Sequence, residues 1–336
     1  MSVIYHTLSQ EEIEGLHGEL RSQLPESAKM YNNISNHINE LLTGFEVIVD
    51  QWPTWTCIMM RPNCPELVPQ YFKNYYICHT RSIRDFKYFI QRPGVVDWSK
   101  PATFTGIPYD AVSVIQEKSR KDHGQVTLVE NRFMYCWNKR DLPESEKIPD
   151  GLNLTSLSPE HAEIVCSHWK HARKNDGLLE YFQKVLDNFE SSAVMDVNGH
   201  LKAYICMQFN GSMANLYVDP EYRTSNLGVA LLRDLTRKLI SKGLTAYGFI
   251  KTKDSTFINT CQKIGLSWVP QGSMSWLHYR PRSMTPSRSW PEEISSQAVA
   301  EKKEEKKKVF FNAMPLSCND CLPSAVPADY VHVTSS

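Results

Sequence analysis

The sequence predicts an α/β fold, a central, mostly antiparallel sheet with helices packed against it. Two Asn-Gly pairs, Asn198-Gly199 and Asn210-Gly211, punctuate three strand-like runs at 192–197, 201–209 and 212–218. Such pairs suit the tight turns that close hairpins, so the three runs form an antiparallel meander. Capped helical segments flank the meander, giving residues 151–282 the order β-α-α-β-β-β-α-β-α-β-β.

Residues 1–140 mix the same two signals. Ser9 followed by Glu12 is a capping box, opening a helix with Ile13, Leu16 and Leu20 on one face and Pro25 beyond its end. Phe45, Val47 and Val49 alternate as in a strand; 56–60 and 74–78 are further strand candidates. Ile83, Phe86, Phe89 and Ile90 have helical spacing, 111–121 is a polar helix candidate, and 125–137 is rich in strand formers. The polar, Pro-bounded stretch 141–150 reads as an interdomain linker. Beyond it, 152–157 is a short strand and Ser158-Pro159-Glu160 opens a helix presenting Ile164, Val165, His168 and Trp169. A second amphipathic helix covers 178–189 and leads into the meander. A long helix ends at Ser241 before Gly243, a strand covers 245–250, and a helix capped by Asp254 stops at Gly265. Two final strands are expected at 266–269 and 275–279. Residues 283–336, Ser/Pro-rich and then Lys/Glu-rich, read as a disordered tail.

Composition narrows the function classes. The 336 residues carry 37 basic and 37 acidic side chains, so no net field draws in a nucleic acid. No apolar run is long enough to span a membrane, and the acidic start does not read as a secretory or transit peptide. Nine cysteines, an odd number scattered through apolar stretches, read as buried thiols. Cys318 and Cys321 have C-x-x-C spacing but no second pair or His pair to complete a zinc set, so no metal is expected. P-loop, G-x-S-x-G and H-E-x-x-H motifs are absent.

The stretch Asp219-Pro220-Glu221-Tyr222-Arg223-Thr224-Ser225-Asn226-Leu227-Gly228 joins the last strand of the meander to the long helix. Unpaired amides at a helix start form an anion cradle, and Thr224, Ser225, Asn226 and Gly228 are small or polar enough to admit a phosphate. Asn226 tolerates the left-handed backbone that Gly usually supplies. A plain strand-to-helix connection is an equal reading of these residues alone.

Arg223-x-x-Asn226-Leu227-Gly228-x-Ala230 resembles the Arg/Gln-x-x-Gly-x-Gly/Ala acyl-CoA motif of the GCN5-related N-acetyltransferase superfamily. Leu216–Arg223 after an Asn-Gly hairpin, and Val49-Asp50-Gln51-Trp52-Pro53, resemble segments of its glycine N-acyltransferase family. So do Leu154-x-x-Leu157 with His161, Ala162 and Trp169, and Ile264-Gly265-Leu266 with Val269, Pro270 and Trp276. The resemblance covers about residues 5–280. It implies that superfamily's fold and leaves open whether the first half is a degenerate copy of the second. It also implies acyl transfer from acyl-CoA, a co-substrate rather than a resident cofactor, to glycine or another small amino acid, without a covalent enzyme intermediate.

By the same resemblance the pyrophosphate meets amides of Arg223, Thr224, Ser225, Asn226, Leu227 and Gly228. Pantetheine lies beside Leu216, Tyr217 and Val218, the Val218 amide faces the oxyanion, and Asn259 approaches CoA. Asn259 read alone is a solvent-facing helix residue, and Cys261 a buried structural thiol. The family's general base, a Glu eight residues before the motif Pro, corresponds here to Ser212. A hydroxyl is a poor base unless another group activates it. Three readings stay open: water relayed through Ser212, a substitute such as His278, His200 or Asp219, or slow turnover or another acceptor. The rivals to an amino-acid acyltransferase are a non-catalytic acyl-CoA-binding protein and an acetyltransferase of protein or polyamine amines. A monomer, mitochondrial by resemblance or cytoplasmic and not secreted, completes the expectation.

Overall fold

The computed structural model describes residues 5–121, 124–169 and 177–282. The expected tail, with Cys318 and Cys321, lies outside them. The first half of the described chain supplies β1 (His6–Thr7), α1 (Gln10–Arg21), α2 (Ala28–Ile38), β2 (Phe45–Val49), β3 (Cys57–Pro62), β4 (Tyr75–Thr80), α3 (Ile83–Phe89), β5 (Ala102–Pro108), α4 (Val112–Lys121) and β6 (Gln125–Trp137). The second supplies β7 (Leu152–Thr155), α5 (Ala162–His168), α6 (Leu178–Asn188), β8 (Ser191–Asp196), β9 (Leu201–Met207), β10 (Met213–Val218), α7 (Leu227–Ser241), β11 (Tyr247–Lys251), α8 (Ser255–Ile264) and β12 (Leu266–Arg280).

These strands form one sheet in the order β1-β2-β3-β4-β5-β12-β6-β11-β10-β9-β8-β7. Its pairs are antiparallel except β4–β5 and β10–β11, so the fold is the mixed, mostly antiparallel sheet that the sequence implies. Both halves run β-α-α-β-β-β-α-β-α-β, and each sends its last strand into the other: β12 lies against β5, and β6 against β11. The exchanged strands pair with each other from Leu266↔Trp137 to Arg280↔Gln125. This explains why the two final strands expected from sequence are a single one. Pro270 and Gly272 look like turn residues, but the segment only shifts register between Val269 and Met274 and then continues beside β6.

Local signals build the helices as their chemistry requires. Ser9 and Glu12 make the reciprocal capping box of α1. Asp254 accepts a hydrogen bond from the Phe257 amide to start α8, and Gly265 at φ 108° ends it. Asp50 of the Val-Asp-x-Trp-Pro segment ties the β2–β3 turn by accepting from the Thr56 and Cys57 amides at 2.8 and 2.9 Å. The stretch 141–150 lies along α7, where Arg233 pairs with Glu146 at 2.7 Å and Arg237 donates to the Pro143 carbonyl.

Strand alternation divides the core between the sheet faces. On one face Leu16, Ile34 and Val47 join Phe182, Val185 and Tyr204 in a cluster shared by α1, α2 and α6. Ile48, Met59 and Phe104 point the other way, into α3 and α4, as do Val194, Ala203 and Ile205, into α7 and α8.

Helix α2 and strand β5 are not foreseen in the sequence. The buried face of α2 includes Lys29, Asn33 and Asn36, so apolar periodicity does not mark it. Strand β5 contains Gly106 at φ 75°, and its signal is broken there. Ile164, read as a buried helix residue, is instead exposed, while Ala162 and Val165 of α5 face the core.

Candidate active site

Strand β10 begins beside β11, with Met213 opposite Gly248. Against β9 on its other side, its register shifts between Ala214 and Tyr217, and Asn215 takes φ 56°. Beyond Met213, β10 and β11 diverge. The gap is a slot of about 140 Å3, walled by Asn215 and Leu216 of β10, Gly248 and Ile250 of β11, and Phe257 and Cys261 of α8. In the first half, the matching strands β4 and β5 stay paired at three positions, Tyr75↔Thr103 to Ile77↔Thr105.

Past β10 the chain makes a short 3-10 turn at Pro220–Tyr222 and enters α7 through Asn226 at φ 57°. Asp219 caps the turn by accepting from the Glu221 amide, and Ser225 Oγ donates to the Tyr222 carbonyl at 2.6 Å. The Val229 and Ala230 amides both bond back to Asn226. The amides ahead of them, at Leu227 and Gly228, have no partner within the helix, and the dipole of a helix of 15 residues adds positive potential there. A Cβ on Gly228 would lie 3.6 Å from Leu216 Cδ2 and 3.8 Å from Val218 Cγ2, an ordinary fit, so packing within the protein does not demand glycine.

The apex of the splay opens into a cavity of about 460 Å3. Met213, Ala214, Gln208, Phe249, Arg132 and Trp169 border both spaces. Side chains from both halves line the cavity, including Lys29 and Asn33 of α2, Glu130 of β6, Ser212, and His278 of β12. The turn before Ser212 is docked on α2, where Asn36 donates to the Phe209 carbonyl and the side chain of Asn32 packs against Gly211.

The electrostatics of the cavity follow from its pairs. Burial pushes the Glu130 carboxyl up, but Lys251 and Arg132 outweigh it and hold the group below its ordinary value. Arg132 also lies over the Trp276 ring, 5.4 Å from its centroid. His278 Nδ1 and Thr103 Oγ1 are 3.1 Å apart. Burial raises the Cys261 thiol to about 12, which keeps it protonated at the wall of the slot.

The structure thus brings Ser212 and His278 to one cavity and sets Asp219 at the other end of β10, roughly 20 Å away at about 3.3 Å per residue. Asp219 and His200 do not border the cavity; His200 is exposed and pairs with Asp196 in the β8–β9 turn. Leu216 walls the slot, whereas Tyr217 and Val218 do not. Tyr217 stacks on His168, with centroids 3.7 Å apart. Asn259 is exposed and outside the slot, which α8 faces with Phe257 and Cys261. Arg223, Thr224 and Asn226 are exposed at the mouth of the turn, Ser225 and Gly228 half-buried, and Leu227 buried as a core residue. Sequence reasoning missed Lys29, Glu130 and Arg132, because no local motif announces residues that only distant pairing brings to one cavity, as Lys29 meets Thr105 and Glu130 meets Lys251.

A splayed parallel strand pair feeding an amide-rich helix start defines the site of a GCN5-related N-acetyltransferase fold. A family model for GNAT acetyltransferases matches residues 156–259, and one described as aralkyl acyl-CoA:amino acid N-acyltransferase matches residues 4–190. The chain belongs to the aralkyl acyl-CoA:amino acid N-acyltransferase family. It is similar to human glycine N-acyltransferase-like protein 2, 21% identical over 79% of this chain and 95% of that one. It is similar also to bovine glycine N-phenylacetyltransferase, 20% identical over 81% of this chain and 98% of that one. Among solved structures, an X-ray structure of a Drosophila protein superposes with a TM-score of 0.69 at 15% identity, covering 83% of this chain and 99% of that one.

Proposed function

We propose that this protein transfers an acyl group from acyl-CoA to the amine of a small amino acid within a ternary complex. The observation that carries the reading is the continuity of slot and cavity: the gap between β10 and β11, whose wall residue Leu216 lies beside Gly228 of α7, shares six lining residues with a chamber large enough for a second substrate. The amides at Leu227 and Gly228 would take the pyrophosphate. The thioester would sit at the apex by Met213 and Ala214, against the bulged backbone of β10 rather than at Val218. The charged lining of the chamber suits an acceptor bearing a carboxylate, with Lys73 and Arg132 against Glu130. This argues against a polyamine, which would need an acidic wall. Direct attack fits the buried, protonated Cys261, which offers no thiolate for a covalent intermediate.

The test is a panel of acyl-CoAs, phenylacetyl-CoA included, against glycine, glutamine and other amino acids, following free CoA. Release that depends on the amino acid supports the reading. Ser212 favours the alternative of an acyl-CoA-binding protein without turnover, since its hydroxyl is no base; tight acyl-CoA binding with no release under any acceptor would establish that alternative.

A further inference from the structure

We infer that Lys29 is the base that takes the proton from the acceptor's ammonium group, filling the role that Ser212 cannot. This rests on the acyl-transfer reading above. Lys29 sits in the first turn of α2, buried, and lines the cavity that Ser212 and His278 also line. Its Nζ donates to the Thr105 carbonyl at 2.9 Å. Gly106, in a left-handed conformation, makes room for it, since a Cβ there would collide with Nζ. Among the described residues no carboxylate forms an ion pair with it, and one carbonyl is its hydrogen-bonding partner. A buried amine without a counter-ion favours its neutral form, and desolvation pulls Lys29 down to about 7. A neutral amine poised at working pH is a competent proton acceptor.

The surrounding groups do not undo this. On β4, burial raises Cys78 to about 12, and desolvation with the charges of Lys29 and Arg81 lowers His79 to about 4, so both are neutral near pH 7. Across the cavity Glu130 is engaged by Arg132 and Lys251, His278 faces Thr103, and Lys73 stands at the exposed rim. Tyr181, on α6, is buried and held protonated.

The step balances. The Lys29 lone pair accepts a proton from the acceptor ammonium and becomes an ammonium itself. The freed amine attacks the thioester carbon, forming C–N while the carbonyl π pair moves to oxygen. Collapse of the tetrahedral adduct breaks C–S and expels the thiolate, which takes the second proton from nitrogen and leaves as free CoA thiol. Lys29 returns its proton to solvent. The sum is ammonium plus thioester giving amide, thiol and one proton.

The experiment is the pH profile of kcat/KM for the acceptor between pH 5.5 and 9.5, using phenylacetyl-CoA with each amino acid of the panel. It is run on wild type, Lys29→Arg, Lys29→Met and His278→Gln, with acyl-CoA affinity and thermal melting measured alongside. Wild type should show a unit-slope limb near pH 7 that moves to lower pH on warming, as amine ionisations do and carboxylate ionisations do not. Both Lys29 variants should lose that limb and fall 100-fold or more at pH 7, with acyl-CoA affinity within threefold of wild type. His278→Gln should keep the limb. Lys29 variants that bind acyl-CoA normally and retain the limb overturn the assignment while acyl transfer stands. Should the variants not fold, the wild-type profile decides, and a limb absent near pH 7 or insensitive to temperature overturns it. A wild type that binds phenylacetyl-CoA yet releases no CoA with any amine removes the transfer reading and the role of Lys29 together.

Discussion

Ser212 Oγ donates a 2.7 Å hydrogen bond to the side-chain oxygen of Asn210, two residues earlier in the same tight turn. The Ser212 amide donates to that oxygen as well, at 3.0 Å. The hydroxyl proton is therefore spent on holding the turn. Ser212→Ala keeps the amide bond and removes a neutral one, so it should cost about 0.5–1.5 kcal/mol of stability. Turnover should change by less than about threefold, which is a small difference in activation free energy. Steady-state CoA release beside a denaturant melt checks both. A hundredfold loss of turnover with an unchanged melt would make the hydroxyl part of the chemistry.

Gly228 separates packing from ligand binding. Protein atoms leave ordinary space for a methyl group there, and glycine in a helix is worth roughly 0.5–1 kcal/mol less than alanine. Gly228→Ala should raise the melting temperature slightly. If an anion approaches this backbone closely, the same variant should weaken acyl-CoA binding about tenfold, or about 1.4 kcal/mol. Calorimetric titration with acyl-CoA beside thermal melting checks the opposed signs. Loss of stability together with unchanged affinity would contradict both arguments.

What the letters reveal divides along range of interaction. Ser9 with Glu12, Asp254 with Gly265, and Asn210-Gly211 act within a turn, and their elements are legible. So is the helix start at Asn226–Gly228, whose chemistry lies in consecutive amides. Lys29, Asn33 and Asn36 defeat the apolar pattern because α2 turns Lys29 and Asn33 toward a cavity and Asn36 toward the Phe209 carbonyl. The exchange of β6 and β12 is invisible for a different reason: either strand would satisfy the same alternation in its own half, and only pairing across the sheet decides. The cavity inherits that illegibility, since Glu130 and His278 reach it on the exchanged strands.

Asn36 joins the halves at the site. It donates from α2 to the Phe209 carbonyl, in the turn that precedes Ser212, and it is 6% exposed. Asn36→Ala leaves that carbonyl without its donor and should cost about 1–3 kcal/mol. Because the turn forms a wall of the acceptor chamber, KM for the amino acid should rise more than KM for acyl-CoA. Steady-state kinetics varying each substrate in turn distinguishes this from a uniform loss, which would mean that the bond only stabilises the fold.

Lys29 also makes a prediction about stability that needs no substrate. Its native pKa, about 7, lies below the ordinary lysine value of 10.5. Between those values the unfolded chain holds the proton and the native protein does not, so stability rises with pH across that window. Below pH 7 both states are protonated and the cost of burying the ammonium is fully present. Above 10.5 both are neutral and the cost is gone. Lys29→Met removes the titration, although it also orphans the Thr105 carbonyl. The difference in unfolding free energy, variant minus wild type, should therefore be most favourable to the variant near pH 6 and should shrink by a few kcal/mol by pH 10. Denaturant melts of both proteins at those two pH values measure it. A difference independent of pH would mean that Lys29 keeps an ordinary pKa in the folded protein, and that its amine is charged throughout the neutral range.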